Sequence, residues 1–153
     1  MSRAKPAAEL TSHLGYWLRY VSNHVSLAFA RKIEAHGVTV AEWVLLRHLL
    51  DVDAMPPSHL AERMGMSRGA ISKLSDRLAA KALIKRRDDP QDGRGHTLSL
   101  TAAGRALVPK LAALADANDA EFFDHLSPKE RAKLLQILKD LVAQRGLLSP
   151  PTD

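Results

Sequence analysis

Hydrogen-bonding side chains recur at helical spacing in the middle of this 153-residue chain, namely Arg68, Ser72, Lys73 and Arg77. Arginine and lysine can donate to the O6 and N7 acceptors of guanine, and a serine hydroxyl can serve several bases. Arg77 lies nearly three turns into the segment, so it is better placed for a phosphate. These residue types favour contact with duplex DNA. The plainer alternative is that they are ordinary surface residues of a helical hairpin.

The placement of positive charge supports the same partner. The chain has a net charge of +5, and the window from Glu62 to Arg105 holds ten basic and five acidic residues. The rest of the chain balances at twelve of each, so this window carries the whole excess. A localised basic excess is the footprint expected of a phosphate-binding surface. A solvated basic face without a partner is the alternative.

A second candidate contact lies in a predicted hairpin. The segments Leu83–Arg87 and His96–Leu100 are typical of strands, and the residues between them are dense in turn formers. Arg94 sits between two glycines at the expected tip, where it could enter a narrow minor groove. Asp92, two residues earlier, could brace that arginine. The alternative is a generic ion pair in an exposed loop, which contributes little to stability.

Two short helices must position the first set of donors. We predict them over Ser58–Met64 and Ser67–Lys81, separated only by Gly65 and Met66. Ser67 is a suitable N-cap for the second helix. The apolar residues that can pack between the two helices are Leu60, Ala61, Met64, Ile71, Leu74 and Leu78. A tight glycine-containing turn between two such helices predicts a helix-turn-helix, whose second helix enters the major groove.

Longer helices are predicted on the N-terminal side. Apolar residues at helical spacing indicate one helix from Leu10 to about His36. Thr39 and Glu42 then form a capping box that begins a second helix. The residues of this second helix that we expect to point mostly inward are Val40, Trp43, Val44, Leu46, Leu49 and Leu50.

On the C-terminal side, Thr101 can cap a long helix that runs towards Phe122 or Phe123. Ser127 and Glu130 form a second capping box, with Pro128 at the first helical position, and this last helix runs to about Gly146. The order of elements therefore predicts a mainly α fold with a small β-hairpin.

We expect residues 1–36 to form an N-terminal dimerisation helix, 37–104 a winged helix-turn-helix DNA-binding domain and 105–153 C-terminal dimerisation helices. The apolar residues near the two ends of the chain that exceed what a small central domain can cover are Leu10, Leu14, Trp17, Leu18, Leu134, Leu138, Leu141 and Leu147. Apolar surface of that extent is usually buried against a partner, which predicts a homodimer. Two-fold symmetry would then place two recognition helices about 34–36 Å apart.

The central segment resembles the MarR family of bacterial transcription regulators. The resemblance is carried by HLAERMGMS at 59–67, ISKLSDRL at 71–78, DPQDGR at 89–94 and LSLTAAG at 98–104. It implies a triangular homodimer that binds a pseudo-palindromic operator, with 67–81 as the recognition helix and Asp92 and Arg94 as the wing pair. It also implies release by a small, often aromatic or phenolic, ligand. Repression is the expected mode, with activation the alternative.

An effector pocket between the dimer helices and the reading domain is a weaker prediction. Its candidate residues are Tyr16, Trp17, Tyr20, His24, Trp43 and Arg47. Such a pocket would be apolar with few polar groups, and Arg47 could meet a carboxylate. The alternative is that Trp17 and Trp43 are simply core or interface residues.

Composition argues against several other classes of protein. The chain has no cysteine, which removes thiol nucleophiles and cysteine-based zinc or peroxide-sensing sites. Its seven histidines form no recognised ligand motif, so we expect no metal site and no cofactor. The local acid cluster of Asp88, Asp89 and Asp92 falls on a predicted loop among arginines, so an enzyme is rejected.

The remaining alternatives concern partners and location. Aromatic residues are scarce in the basic window, so recognition of RNA or single strands is poorly supported. No apolar run approaches the roughly 20 residues of a membrane span. The N-terminus lacks the apolar region of a signal peptide, so a cytoplasmic location is expected.

Overall fold

A computed structural model of the chain describes residues 5–88, 91 and 95–147. Over these residues a short 3-10 helix, Leu10–Ser12, is followed by helices and a β-hairpin. In chain order the elements are α1 (Leu14–Glu34), α2 (Val40–Leu50), α3 (Pro57–Met64), α4 (Arg68–Ala80), β1 (Ile84–Asp88), β2 (His96–Leu100), α5 (Ala102–Phe123) and α6 (Pro128–Arg145). The predicted mainly α architecture with a small β-hairpin is confirmed.

The first predicted helix is divided near its start. His13 has extended backbone angles (φ −91°, ψ 127°), which separate the 3-10 turn from α1. The indole N–H of Trp17 donates to the Thr11 carbonyl at 2.8 Å and holds the turn against α1. At the other end Gly37 adopts φ +71°, a conformation that favours glycine and lets the chain turn towards α2.

Side-chain caps fix where four helices begin. Thr39 and Glu42 form the predicted capping box at the start of α2. The hydroxyls of Ser67 and Thr101 accept from backbone N–H groups three residues on, as predicted for α4 and α5. Ser127 does the same for α6 by accepting from the Glu130 N–H, but the prediction of a full capping box there was wrong, because the Glu130 side chain does not bond back to the Ser127 N–H.

The helix-turn-helix is formed as the sequence predicts. Gly65, at φ +62°, ends α3 in the left-handed region, and the Met66 N–H donates to the Ala61 carbonyl at 3.0 Å. This turn brings α4 back across α3, and the apolar residues predicted to pack between them are buried. Burying them leaves the opposite face of α4 exposed to solvent.

The hairpin has an antiparallel register from Ile84 opposite Leu100 to Asp88 opposite His96. The prediction that β1 begins at Leu83 was wrong by one residue. The Leu83 N–H instead donates to the Leu78 carbonyl at 3.0 Å and closes the turn after α4. Met55 pairs with Leu98 through two backbone hydrogen bonds of 2.9 Å, which attach the α2–α3 connection to β2.

The buried core joins α2, α3, α4 and the hairpin to Ile33 of α1 and Val108 and Leu111 of α5. Two details of α2 differ from the prediction. Val40, expected inward, is 38 % exposed, whereas Leu45, absent from the predicted inward set, is fully buried. Apolar residues occur on most sides of this short helix, so tertiary packing decides which of them are covered.

A polar contact joins the two long helices. The Asn118 side chain is 3 % exposed, donates to the Val25 carbonyl at 3.1 Å and accepts from Lys32 at 3.0 Å. Lys32 also bonds to Glu121 at 2.6 Å. A buried amide with partners on both ends fixes the register of α1 against α5. Within the described residues no helix has both the length and the apolarity needed to cross a membrane.

Candidate nucleic-acid interface

The outward face of α4 carries the donors that the sequence singled out. The Ser67 hydroxyl accepts from the Ala70 N–H at 3.1 Å and fixes where the helix begins. The buried side of the helix anchors it to the core, and the side chains exposed to solvent include Arg68, Ser72, Lys73 and Arg77. A partner approaching this face therefore meets hydrogen-bond donors and positive charge.

The structure separates these four residues into two pairs. Arg68 and Ser72 line an open cavity of about 740 Å³ between α4, residues 56–58 and the hairpin residues Arg86, Gly95 and His96. Lys73 and Arg77, one helical turn apart, lie outside that lining. The first pair therefore lies beside the hairpin, and the second pair does not line the cavity that separates α4 from it.

An ion pair joins α4 to the hairpin across this cavity. Arg86 of β1 donates to the carboxylate of Asp76, and both side chains are partly exposed. An exposed pair of this kind adds little stability, but it occupies one arginine of the basic window. The sequence alone gives no signal for this contact, because no spacing rule relates a helical residue to a strand residue ten positions later.

A stronger contact lies at the C-terminal end of α4. The Lys81 ammonium donates to the Gly37 carbonyl and to Glu42 Oε2, each at 2.7 Å. Burial raises the pKa of the Glu42 carboxyl, but hydrogen bonds from Lys81 and Thr39 lower it more, so this pKa lies below its ordinary value of 4.5. From the sequence alone, Glu42 was predicted only as part of the capping box and Lys81 only as one of the basic residues of the window, so their contact was not predicted.

The residues just after α4 are bound to the start of α5. Ala82 adopts φ +57°, and its carbonyl accepts from the Thr101 hydroxyl at 2.7 Å. The Leu83 carbonyl accepts from the Thr101 N–H at 3.1 Å, directly beside Gly104. The end of α4 is therefore held on one side by the α1–α2 turn and on the other by α5.

The hairpin adds further positive charge. Lys85 and Arg87 of β1 are exposed, whereas Arg86 is engaged by Asp76. Asp92 and Arg94, the predicted wing pair, lie outside the described residues, and their roles stay predictions.

The candidate effector residues fall into separate groups. Trp17, Tyr20 and His24 form a series of neighbouring rings on α1, with Tyr20 and His24 centroids 5.0 Å apart. Tyr16 joins this series, its ring 5.2 Å from that of Trp17.

The remaining two candidates on α2 have different neighbours. Trp43 packs edge-on against Phe29 with centroids 6.2 Å apart. Arg47 bonds to Asp51 at 2.8 Å. The described contacts thus bring the aromatic residues of α1 together but do not place Trp43 and Arg47 with them.

Positive charge also perturbs a histidine on α2. Partial burial lowers the pKa of His48 below its ordinary value of 6.5, and the charges of Arg63 and Arg47 lower it further. Among the described residues, no group of three or more histidine, aspartate or glutamate side chains is arranged to hold a metal ion.

The outer helices expose a large apolar surface. Leu14 of α1 is 82 % exposed, and every residue of α6 is exposed. A groove of about 230 Å³ runs between the end of α5 and α6, with the Asp119–Arg131 ion pair among its lining residues. The apolar residues lining it are Phe123, Leu126, Leu134, Leu135 and Leu138.

Known proteins are similar to this chain in sequence and in fold. The MarR family profile matches residues 36–95. A Thauera aromatica protein named "Putative transcriptional regulatory protein for hcr operon" is 32% identical across 93% of this chain and 92% of its own length. The HTH-type transcriptional repressor MdtR of Bacillus subtilis (strain 168) is 28% identical across 90% of this chain and 88% of its own length.

A solved structure of Bordetella bronchiseptica BpsR, a protein whose DNA binding is regulated by 6-hydroxynicotinic acid, matches with a TM-score of 0.78 and 25% identity. The match covers 89% of this chain and 97% of that chain. The similar proteins are transcription regulators and not enzymes. The fold, a winged helix-turn-helix domain between N- and C-terminal helices, is the one that the sequence predicted.

Proposed function

This chain belongs to the MarR family of transcription regulators, and we propose on that basis that it binds duplex DNA through α4 and the β1–β2 hairpin. The observation that carries the proposal is the two-sided character of α4. One side is anchored in the core, and the other exposes Arg68, Ser72, Lys73 and Arg77 within the basic window.

Each exposed residue is assigned a role by its chemistry. Arg68, Ser72 and Lys73 would contact base edges in the major groove, and Arg77 would contact phosphate. Arg94 would enter the minor groove from the hairpin, with Asp92 orienting its guanidinium. Lys85 and Arg87 add phosphate-binding charge beside the same groove.

We also propose that the protein acts as a homodimer on a pseudo-palindromic operator. The apolar faces of α1 and α6, exposed in a single chain, would be buried between protomers. Residues 1–36 and 105–153 would form that interface, and 37–104 would read the DNA. The groove beside α6 offers a site into which apolar side chains of the second protomer could pack.

Control by a small aromatic or phenolic ligand is a further part of the proposal. In BpsR the regulator of DNA binding is a hydroxylated aromatic acid, 6-hydroxynicotinic acid. The ring series of Trp17, Tyr20 and His24 offers stacking surfaces for such a molecule. Trp43 and Arg47 are proposed as further ligand residues, although within one chain they contact Phe29 and Asp51 instead. We propose repression, the mode in the name of MdtR, with activation as the alternative.

The test begins with DNA selected by the purified protein from a genomic library of its source organism. Affinity for the selected site is then measured by fluorescence anisotropy over a range of salt concentrations, for the wild type and for Lys73→Ala. We expect a steep salt dependence, and a loss of about 5- to 150-fold for the variant, equivalent to about 1–3 kcal/mol.

The matched control is Lys110→Ala, which removes the same charge from an exposed position on α5, with sedimentation checking that the variant keeps the wild-type mass. Its affinity should stay within about twofold of the wild type. A flat salt dependence would contradict the role of the basic window in binding phosphate. Equal losses for the two variants would contradict the assignment of α4 as the reading element.

A further inference from the structure

The end of α4 is fixed by an ion pair between a partly exposed lysine and a buried carboxylate from a distant part of the chain. Lys81 follows the last residue of α4, and its ammonium reaches Glu42 at the start of α2, 39 residues earlier. The same ammonium donates to the Gly37 carbonyl in the turn between α1 and α2. One side chain thus connects α4 to the place where α1 ends and α2 begins.

The Glu42 carboxylate is buried and its two oxygens have separate partners. The side chain is 1 % exposed, Oε1 accepts from the Thr39 N–H at 3.3 Å and Oε2 accepts from Lys81 at 2.7 Å. A buried carboxylate deprived of its cation is strongly unfavourable, so the structure resists any movement that would separate the pair. The capping box fixes the carboxylate, and the carboxylate in turn fixes Lys81.

Lys81 differs in this respect from the other cations of α4. Arg77, one helical turn earlier, is exposed. Lys81 is also partly exposed, but two of its three N–H donors are bonded to acceptors of the protein itself. Its charge is neutralised by Glu42 and adds little to the field that a phosphate would meet.

The opposite side of the same corner is bound to α5. Thr101 donates from its hydroxyl to the Ala82 carbonyl and from its N–H to the Leu83 carbonyl. With Lys81 holding the other side, the direction of α4 is set relative to α1 and α5. These are two of the helices assigned above to the dimer.

We propose that Lys81 and Glu42 are positioning residues that orient α4 for operator binding, and that Lys81 does not contact phosphate. This inference rests on the proposed function. In a dimer the two copies of α4 must enter successive major grooves together, so a small tilt at each protomer misplaces both. Non-specific binding depends on charge alone and tolerates such a tilt.

The decisive variant is Glu42→Gln, which nearly preserves shape and removes a negative charge. Electrostatics alone predicts equal or tighter DNA binding, since an acid has been removed near a polyanion. Positioning predicts the opposite for the operator. We expect about tenfold weaker binding to the operator, with affinity for unrelated duplex DNA unchanged or higher.

The second variant is Lys81→Met made together with Glu42→Gln, because Lys81→Met alone would leave the buried Glu42 carboxylate without its cation. Arg77→Met is its matched control one turn away. Loss of a phosphate contact is expected to weaken binding to the operator and to unrelated DNA alike. It should also reduce the slope of log affinity against log salt concentration by about 1, and both results are expected for Arg77→Met. The double variant should weaken the operator complex selectively.

The outcomes separate the two proposals. Wild-type protein that binds no duplex DNA would overturn the proposed function. Wild-type binding combined with a Glu42→Gln protein that binds the operator as tightly as before would overturn the positioning role alone. A uniform loss in the double variant, with a reduced salt slope, would show that Lys81 contacts phosphate. Circular dichroism and sedimentation confirm that each variant is folded and of wild-type mass.

Discussion

Replacing Gly104 by alanine is expected to destabilise the protein, although alanine normally strengthens a helix. Gly104 is buried in the first turn of α5, where its N–H donates to the Thr101 hydroxyl at 3.0 Å. A Cβ added here would overlap the Leu83 carbonyl oxygen and lie 3.1 Å from its carbonyl carbon and 3.3 Å from a methyl carbon of Leu100. The principal obstacle is backbone, so rotation of a side chain cannot relieve it.

The magnitude follows from three contributions to the free energy of unfolding. Glycine to alanine in a helix ordinarily gains about 1 kcal/mol. Overfilling a packed site costs about 1–3 kcal/mol. Displacing the Leu83 carbonyl weakens its hydrogen bond from the Thr101 N–H, which costs about 1 kcal/mol more. The expected net loss is about 1–3 kcal/mol.

The assay is equilibrium unfolding in urea at a fixed protomer concentration, because association changes apparent stability. The matched control is Gly15→Ala in α1, where an added Cβ has nothing within 4 Å and a gain of up to about 1 kcal/mol is expected. If Gly104→Ala raised the unfolding midpoint as Gly15→Ala does, the reasoning from close backbone contact would be refuted.

Three other expectations can be checked directly. Arg94→Ala should weaken operator binding by about 1–3 kcal/mol without changing the dimer mass, and an unchanged gel-shift titration would rule out the wing assignment. The free energy of unfolding should fall on acidification below pH 6.5, because the pKa of His48 is lowered in the folded protein and the unfolded chain therefore takes up a proton first. Below pH 4.5 the lowered pKa of Glu42 adds a loss of the same sign, for the same reason. Unfolding midpoints between pH 4 and 8 test this sign, and His48→Gln should flatten the upper part of the curve. Sedimentation should give a species near twice 16.8 kDa, reduced to the monomer by Leu138→Glu in the exposed face of α6; a monomeric wild type would exclude the dimer.

Much of the fold was predictable because its signals are local. A capping residue and the N–H that it satisfies lie three positions apart, so Thr39, Ser67, Thr101 and Ser127 could be identified from the sequence. The apolar spacing that buries one side of α4 is also a property of neighbouring residues. The exposed donors on its other side follow from the same periodicity.

The errors in α2 and β1 have a different origin. In α2, apolar residues lie on several sides, so periodicity could not choose between covering Val40 and covering Leu45. In β1, Leu83 belongs to the turn because its N–H is taken by Leu78 of α4. Both outcomes depend on which neighbour packs against the segment, and short-range patterns do not contain that information.

The sequence by itself determined the order of the elements, the helix-turn-helix, the identity of the donors on α4 and the concentration of basic charge around them. Only the tertiary structure decided how α4 is held. The partners of Lys81, Asp76 and Ala82 lie on α2, on β1 and at the start of α5, and they meet only after the chain has folded. Local hydrogen-bonding rules extend over about four residues, whereas the contacts that orient α4 also depend on the packing of segments up to 44 residues apart.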